Sequence, residues 1–321
     1  MSLVGPPAAR VDAEPAPVQR PQEPIVPIPS ASTPPPDTKL DINYRRGWQY
    51  ILSGHRENYF ISGVTSQQHT VKFQFSFKFN LWPNATRHSV YFAYTQKSLW
   101  AVWDFANSSP FLESNYAPEI FYGYYPLYGD IAPAPGRWTY FIDQMRAGFE
   151  HESNGMGSEM SRGWNRVTGT ARGGVYFGTD NYAALAVKTW ACPFGVWNNP
   201  DITDYLGYGA LGIEYGYDPV IKRWYGGGNI NVAFQKGWDA DWGRRSVQVT
   251  AQWRPAYEGK FLEWWKFTPY IFAQLWTGYG ETLLTYNVDT TAFRIGLSLD
   301  DRVEWIAAPK APKPPQQPES R

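Results

Sequence analysis

A serine hydroxyl becomes a nucleophile when a base stands within hydrogen-bond reach, and the base works best when a third group fixes its tautomer. The stretch FEHESNGMGSEMSRGWNR, residues 149–166, supplies those three types in His151, Ser153 and Asn165. The chemistry they suggest is acyl transfer through an acyl-serine. A histidine and a serine two apart are also common in ordinary polar loops. The spacing therefore leaves both readings open until the surface they occupy is known.

That surface follows from the strands that must carry them. Side chains along a strand alternate between its two faces. In 138–153, Phe141, Met145, Ala147 and Phe149 share one parity, against Gln144, Arg146, Glu150 and Glu152 on the other. His151 and Ser153 fall on the apolar parity. In the following strand Asn165, Val167, Gly169 and Ala171 oppose Arg166, Thr168, Thr170 and Arg172, so Asn165 is also on the apolar side. A hairpin that sets 153 against 163 sets 151 against 165, with cross-strand Cβ atoms about 5 Å apart. Asp143 shares the apolar parity, but its ten-residue distance from Ser153 carries it past an apolar band about 25 Å tall at about 3.3 Å per residue. If the apolar face meets lipid, three polar groups gather at the rim of the hydrocarbon, where such groups are functional by default.

The wider sequence favours that setting. The 321 residues carry no net formal charge, so no basic field recruits nucleic acid. Sixteen Trp, 22 Tyr and abundant Gly suit strands and tight turns, and the single cysteine, Cys192, excludes an intrachain disulfide framework and a cysteine-based zinc site. Val71, Phe73, Phe75, Phe77, Phe79 and Leu81 alternate without exception with polar residues, and Phe293–Leu299 and Val247–Trp253 repeat the pattern. About twelve such segments are counted, near 57–64, 70–81, 88–100, 116–126, 138–153, 163–177, 182–192, 204–217, 225–236, 245–254, 265–278 and 290–300. The number is even, as a closed antiparallel barrel of the bacterial outer membrane requires, and the segment lengths suit a tilted bilayer crossing. No apolar run is long enough for a transmembrane helix, and the mean hydropathy of −0.46 is that of a barrel whose two faces average out. The fold expected is all-β, a twelve-stranded transmembrane barrel over 39–305. It lies between a Pro-rich leader, 1–38, and a Pro/Lys tail, 306–321, that cannot order themselves. No export signal is read at the start. A soluble aromatic-rich sandwich that binds carbohydrate, and a catalytically silent pore or scaffold, remain as alternatives on pattern alone.

The motifs HESNG and SRGWNR resemble those of the outer-membrane phospholipase A family. VKFQFSFKFNLW, YTQKSLW, SSPFLESNYAPEIF, NPDITDYLGY and GYGETLLTYN follow the family's order, so the likeness runs from about residue 57 to 300. The resemblance implies a homodimeric, Ca²⁺-dependent hydrolase of glycerophospholipid acyl esters in the bacterial outer membrane. It gives His151, Ser153 and Asn165 the triad roles and assigns Gly155 an oxyanion-binding N–H. It implies calcium ligands in the Ser161 hydroxyl, the Met156 carbonyl and the carbonyl of Ser108 of the partner subunit. The chain departs from the family at Ser158, where the pattern has an acidic residue, and after Trp305, where the family's chains end on an aromatic. Gln96 shares the parity of Val90, Phe92, Tyr94, Ser98 and Trp100, an amide on an apolar outer face that would lack partners in lipid. A two-fold contact would bond two such amides to each other, and the resemblance places Gln96 at the dimer face.

Overall fold

The computed structural model describes residues 52–299 apart from 67, 83–87, 125–137, 178–179, 197, 218–226, 239–241 and 255–268. The leader 1–38 and the tail 306–321 lie outside the described residues. Among the described residues thirteen strands follow one another: β1 (Leu52–Gly54), β2 (Asn58–Thr65), β3 (His69–Asn80), β4 (His88–Trp100), β5 (Phe111–Tyr124), β6 (Thr139–Ser153), β7 (Gly163–Phe177), β8 (Asn181–Ala191), β9 (Gly209–Tyr217), β10 (Gly227–Lys236), β11 (Arg245–Arg254), β12 (Tyr270–Gly278) and β13 (Thr290–Leu299). Every neighbouring pair is antiparallel, and β13 returns to β2, so the sheet closes. β1 and β2 pair successive parts of β3, with Gly54 opposite Phe77 and Tyr59 opposite Gln74. They are one stave interrupted at 55–57, and the barrel has twelve staves.

Two expected segments shift. The stave expected at 116–126 starts earlier, at Phe111, and the one expected at 204–217 starts at Gly209 because Ile202–Leu206 forms a short helix. Of the segment expected at 265–278, residues 265–268 lie outside the described residues, and the strand is seen from Tyr270.

The faces are inverted relative to a soluble sandwich. Phe60, Phe75, Ile120, Phe149, Leu185, Ile213, Ile230, Phe293 and Ile295 are exposed on the outside, whereas Lys72, Glu119, Glu150, Arg166 and Arg294 are buried. Burying charge is tolerable when each charge is paired and hydrogen-bonded. Arg166 Nη2 donates to Glu150 and Glu152, both at 2.7 Å, while Lys188 and Arg56 also reach Glu150. At another level Lys72 donates to Gln274 at 2.8 Å and to Glu281 at 3.3 Å, and Arg294 bonds Glu281. These networks line the described interior around a cavity of about 250 Å³ bounded by Lys72, Glu152, Arg166, Lys188 and Gln274.

The outer and inner faces of β6 exchange at Asp143, against the expected parity. Ile142 pairs Gly173 and Gln144 pairs Arg172, leaving Asp143 as an extra residue. This bulge flips the parity of the strand. Tyr140 and Ile142 face outward, Phe141 is buried against Tyr176 and Tyr182, and the Asp143 carboxylate accepts from Arg172 inside the barrel. Phe141 therefore does not share a face with Met145 and Phe149, and Asp143 is not on the lipid side.

Candidate active site

The β6–β7 hairpin pairs His151 with Asn165 and Ser153 with Gly163, the expected register. His151 Nε2 lies 3.0 Å from Ser153 Oγ, and His151 Nδ1 lies 2.8 Å from Asn165 Oδ1. An amide oxygen only accepts, so Nδ1 carries the ring proton and Nε2 is left to accept from the serine hydroxyl. All three side chains are on the outer wall. The same two strands present Glu150, Glu152, Trp164 and Arg166 to the interior. Trp164 Nε1 donates to Glu152 at 3.0 Å, and the Arg166 guanidinium lies 3.9 Å from the Trp164 ring centroid. The relay outside is thus backed by a paired, packed layer inside.

On the other flank, β5 pairs Tyr116 with Ser153 and resumes at Glu119 with Glu150. The ladder skips the stretch holding Pro118, which has no N–H to offer. Tyr116 also bounds Gly155, whose φ of 66° is left-handed and whose added Cβ would meet the tyrosine ring at 3.0 Å. Glycine alone adopts that conformation freely.

The turn after Ser153 is organised by a residue with no signal in the sequence pattern. Asn154 is buried; its Oδ1 accepts from Met156 N at 3.2 Å and Arg162 N at 3.0 Å, and its Nδ2 donates to the Met160 carbonyl at 2.7 Å. Arg162 Nη1 donates to the carbonyls of Glu159 and Ser161, both at 2.8 Å. From the loop between β8 and β9, Asn198 Nδ2 donates to Ser161 Oγ at 3.1 Å and Asn199 Oδ1 accepts from Gly163 N at 2.9 Å. The short helix of that loop and the β12–β13 loop close the barrel end behind the site, where Ile202, Leu206, Leu283 and Tyr286 pack on Trp164 and Trp190. Tyr286 donates to Asp201; burial first, then this carboxylate, pushes its phenol above the ordinary range.

Among the described residues no three His, Cys, Asp or Glu cluster as metal ligands. The donor set that the resemblance implies is instead neutral oxygen, which suits a hard cation. Met156 and Ser161 flank the same turn, and Ser158 within it has a φ of 56°. Ser108 stands apart, exposed with a φ of 61° in the β4–β5 loop. Gln96, for its part, is not without partners. Tyr94 Oη donates to its Oε1 at 3.4 Å, its Nε2 donates to Ser98 Oγ at 3.3 Å, and Ser98 meets Ser114 at 2.8 Å. A polar chain therefore crosses the outer wall there, and Gln96 pairs Tyr116, which pairs Ser153.

Comparison with known proteins agrees with this fold. The family model described as Phospholipase A1 matches residues 50–299. Phospholipase A1 of Escherichia coli K12 is 30% identical over 240 residues, covering 72% of this chain and 70% of that relative. Two solved structures share the fold at 27% identity. One is E. coli outer membrane phospholipase A with an asparagine-to-alanine change described as an active-site mutation, at a TM-score of 0.60 over 78% of this chain and 92% of that one. The other is the outer membrane phospholipase dimer of Salmonella typhi with bound calcium, at 0.62 over 82% and 98%. The chain belongs to the phospholipase A1 family and is a phospholipase of the Gram-negative outer membrane.

Proposed function

We propose that this phospholipase cleaves acyl esters of glycerophospholipids and lysophospholipids with Ser153 as nucleophile, His151 as base and Asn165 as orienting group. The observation that carries this reading is the unbroken relay from Ser153 Oγ through the imidazole to Asn165 Oδ1 on the outer wall. His151 Nε2 takes the hydroxyl proton as Ser153 Oγ adds to the ester carbonyl. The same nitrogen returns it to the departing glycerol oxygen, leaving an acyl-serine. Water, deprotonated by His151, then releases the fatty acid. A neutral amide in the third position fits a lipid-facing wall, where a carboxylate would carry a large desolvation penalty. The Gly155 N–H, in a backbone conformation that glycine permits, is the assigned oxyanion donor. The active-site asparagine altered in the E. coli relative supports a role for an amide here.

Calcium is assigned to the Met156 carbonyl, the Ser161 hydroxyl and the carbonyl of Ser108 of the partner subunit. It would supply positive charge beside the developing oxyanion. A cation shared in this way requires a homodimer, and the calcium-bound dimer of the S. typhi relative supports both. Gln96, at the centre of the outer polar chain, is assigned to the two-fold contact. The bilayer supplies the substrate directly to Ser153.

The reading is tested by active-site labelling. A fluorophosphonate ester should modify Ser153 in the calcium-loaded protein, far less after chelation, and not at all in His151→Ala. Labelling that ignores His151 would remove the relay from the mechanism.

A further inference from the structure

The β7 strand outruns its neighbour. Its pairing with β8 begins at Val167 opposite Ala191, so Gly163–Arg166, the part carrying Asn165, has no β8 partner. An extended strand with an open edge keeps its register poorly unless its backbone groups are otherwise satisfied. Asn199 satisfies one of them: its side-chain oxygen accepts from Gly163 N at 2.9 Å, where a β8 carbonyl would have stood. Asn199 is fully buried, and its own backbone N–H and C=O bond Val196 and Ile202. The preceding residue, Asn198, is thereby fixed beside the turn, and its amide reaches Ser161 Oγ at 3.1 Å. Two consecutive side chains thus grip Ser161 and Gly163, on either side of Arg162.

We infer that Asn198 is a positioning residue for cation binding by Ser161, held in place by Asn199. The inference rests on the calcium reading above. A hydroxyl has one proton and two lone pairs. With the Asn198 amide donating to one lone pair, the Ser161 proton must point elsewhere and the second lone pair is left for a cation. The oxygen is presented before the ion arrives, so less rotational freedom is lost on binding. The position also tolerates a specific control. Asn198 has a φ of 64°, left-handed, so glycine keeps the backbone comfortable while removing only the amide, whereas alanine removes the amide and strains the backbone.

The test is calorimetric titration of CaCl₂ into the full chain folded in detergent, with heat-modified electrophoretic mobility reporting the fold. Asn198→Gly should weaken calcium binding by about three- to tenfold, the worth of one hydrogen bond, with the mobility transition unmoved. Asn198→Ala should weaken it at least as much. In a Ser161→Ala background, Asn198→Gly should weaken binding no further, because the oxygen it orients is gone. A wild-type affinity in Asn198→Gly, or a full additional loss in the Ser161→Ala background, would overturn the inference while leaving the calcium site standing. A wild-type chain that takes up no calcium would overturn the calcium reading, and this inference with it.

Discussion

At the scale of single residues, the relay divides its work unequally. In the proposed mechanism Ser153 would form the covalent bond, whereas Asn165 would only fix the imidazole that serves it. Ser153→Ala should abolish ester hydrolysis. Asn165→Ala should slow it by roughly one to three orders of magnitude in a folded barrel, because water replaces an orienting group in part but never a nucleophile. Steady-state fatty-acid release checks both, and a fully active Asn165→Ala would remove the amide from the site. Gly155→Ala tests the turn. A left-handed backbone costs a non-glycine residue about 1–2 kcal/mol, and the new Cβ would press on the Tyr116 ring at 3.0 Å. Activity should drop by at least about fivefold without loss of the barrel. These residues differed in how plainly the sequence announced them. His151, Ser153 and Asn165 were legible because parity and a single hairpin register bring them together. Asn154, Asn198 and Asn199 were not, since an asparagine in a loop carries no period and Asn199 meets Gly163 only through the fold.

At the scale of elements, the hairpin is held by what lies behind it. Glu150 is buried among Arg166, Lys188 and Arg56, and Glu152 shares Arg166 with it. Removing one partner of a buried network leaves charge uncompensated, at a cost of about 3–5 kcal/mol. Arg166→Ala should therefore lower the temperature at which the folded electrophoretic form is lost, and should impair hydrolysis through the displaced hairpin. An unchanged transition would mean that water already satisfies these carboxylates. The strand alternation that reveals such inner and outer faces survives in sequence wherever no residue is inserted, as from Val71 to Leu81. It misleads at β6, where one extra residue, Asp143, reverses the parity and Phe141 looks apolar on either face. It also misses the interruption at 55–57, because His55 and Arg56 enter the interior to meet Glu119 from the gap between β1 and β2.

At the scale of the whole molecule, an inverted surface commits the chain to a bilayer. Phe75 lies mid-strand with 56% exposure and Trp82 lies beyond the end of β3 with 64%. Arginine at Phe75 should weaken folding into lipid by about 2–4 kcal/mol, and arginine at Trp82 by about 0–1, because the penalty falls towards the interface. Equal effects would contradict the depth assigned to these positions. Arginine at Ser76, on the inner face, would be costly for a different reason, since Ser76 is buried and bonded to Thr95 at 2.7 Å. If calcium is shared between two copies, its binding and dimerisation strengthen each other by the same factor, and a monomer keeps its relay yet hydrolyses little. The most direct measurement is fatty-acid release from phospholipid in mixed micelles by the refolded chain and by Ser153→Ala, each with calcium and with chelator. Fatty acid should be released only by the wild-type chain, and only with calcium present. Release by Ser153→Ala at the wild-type rate would show that Ser153 is not the nucleophile.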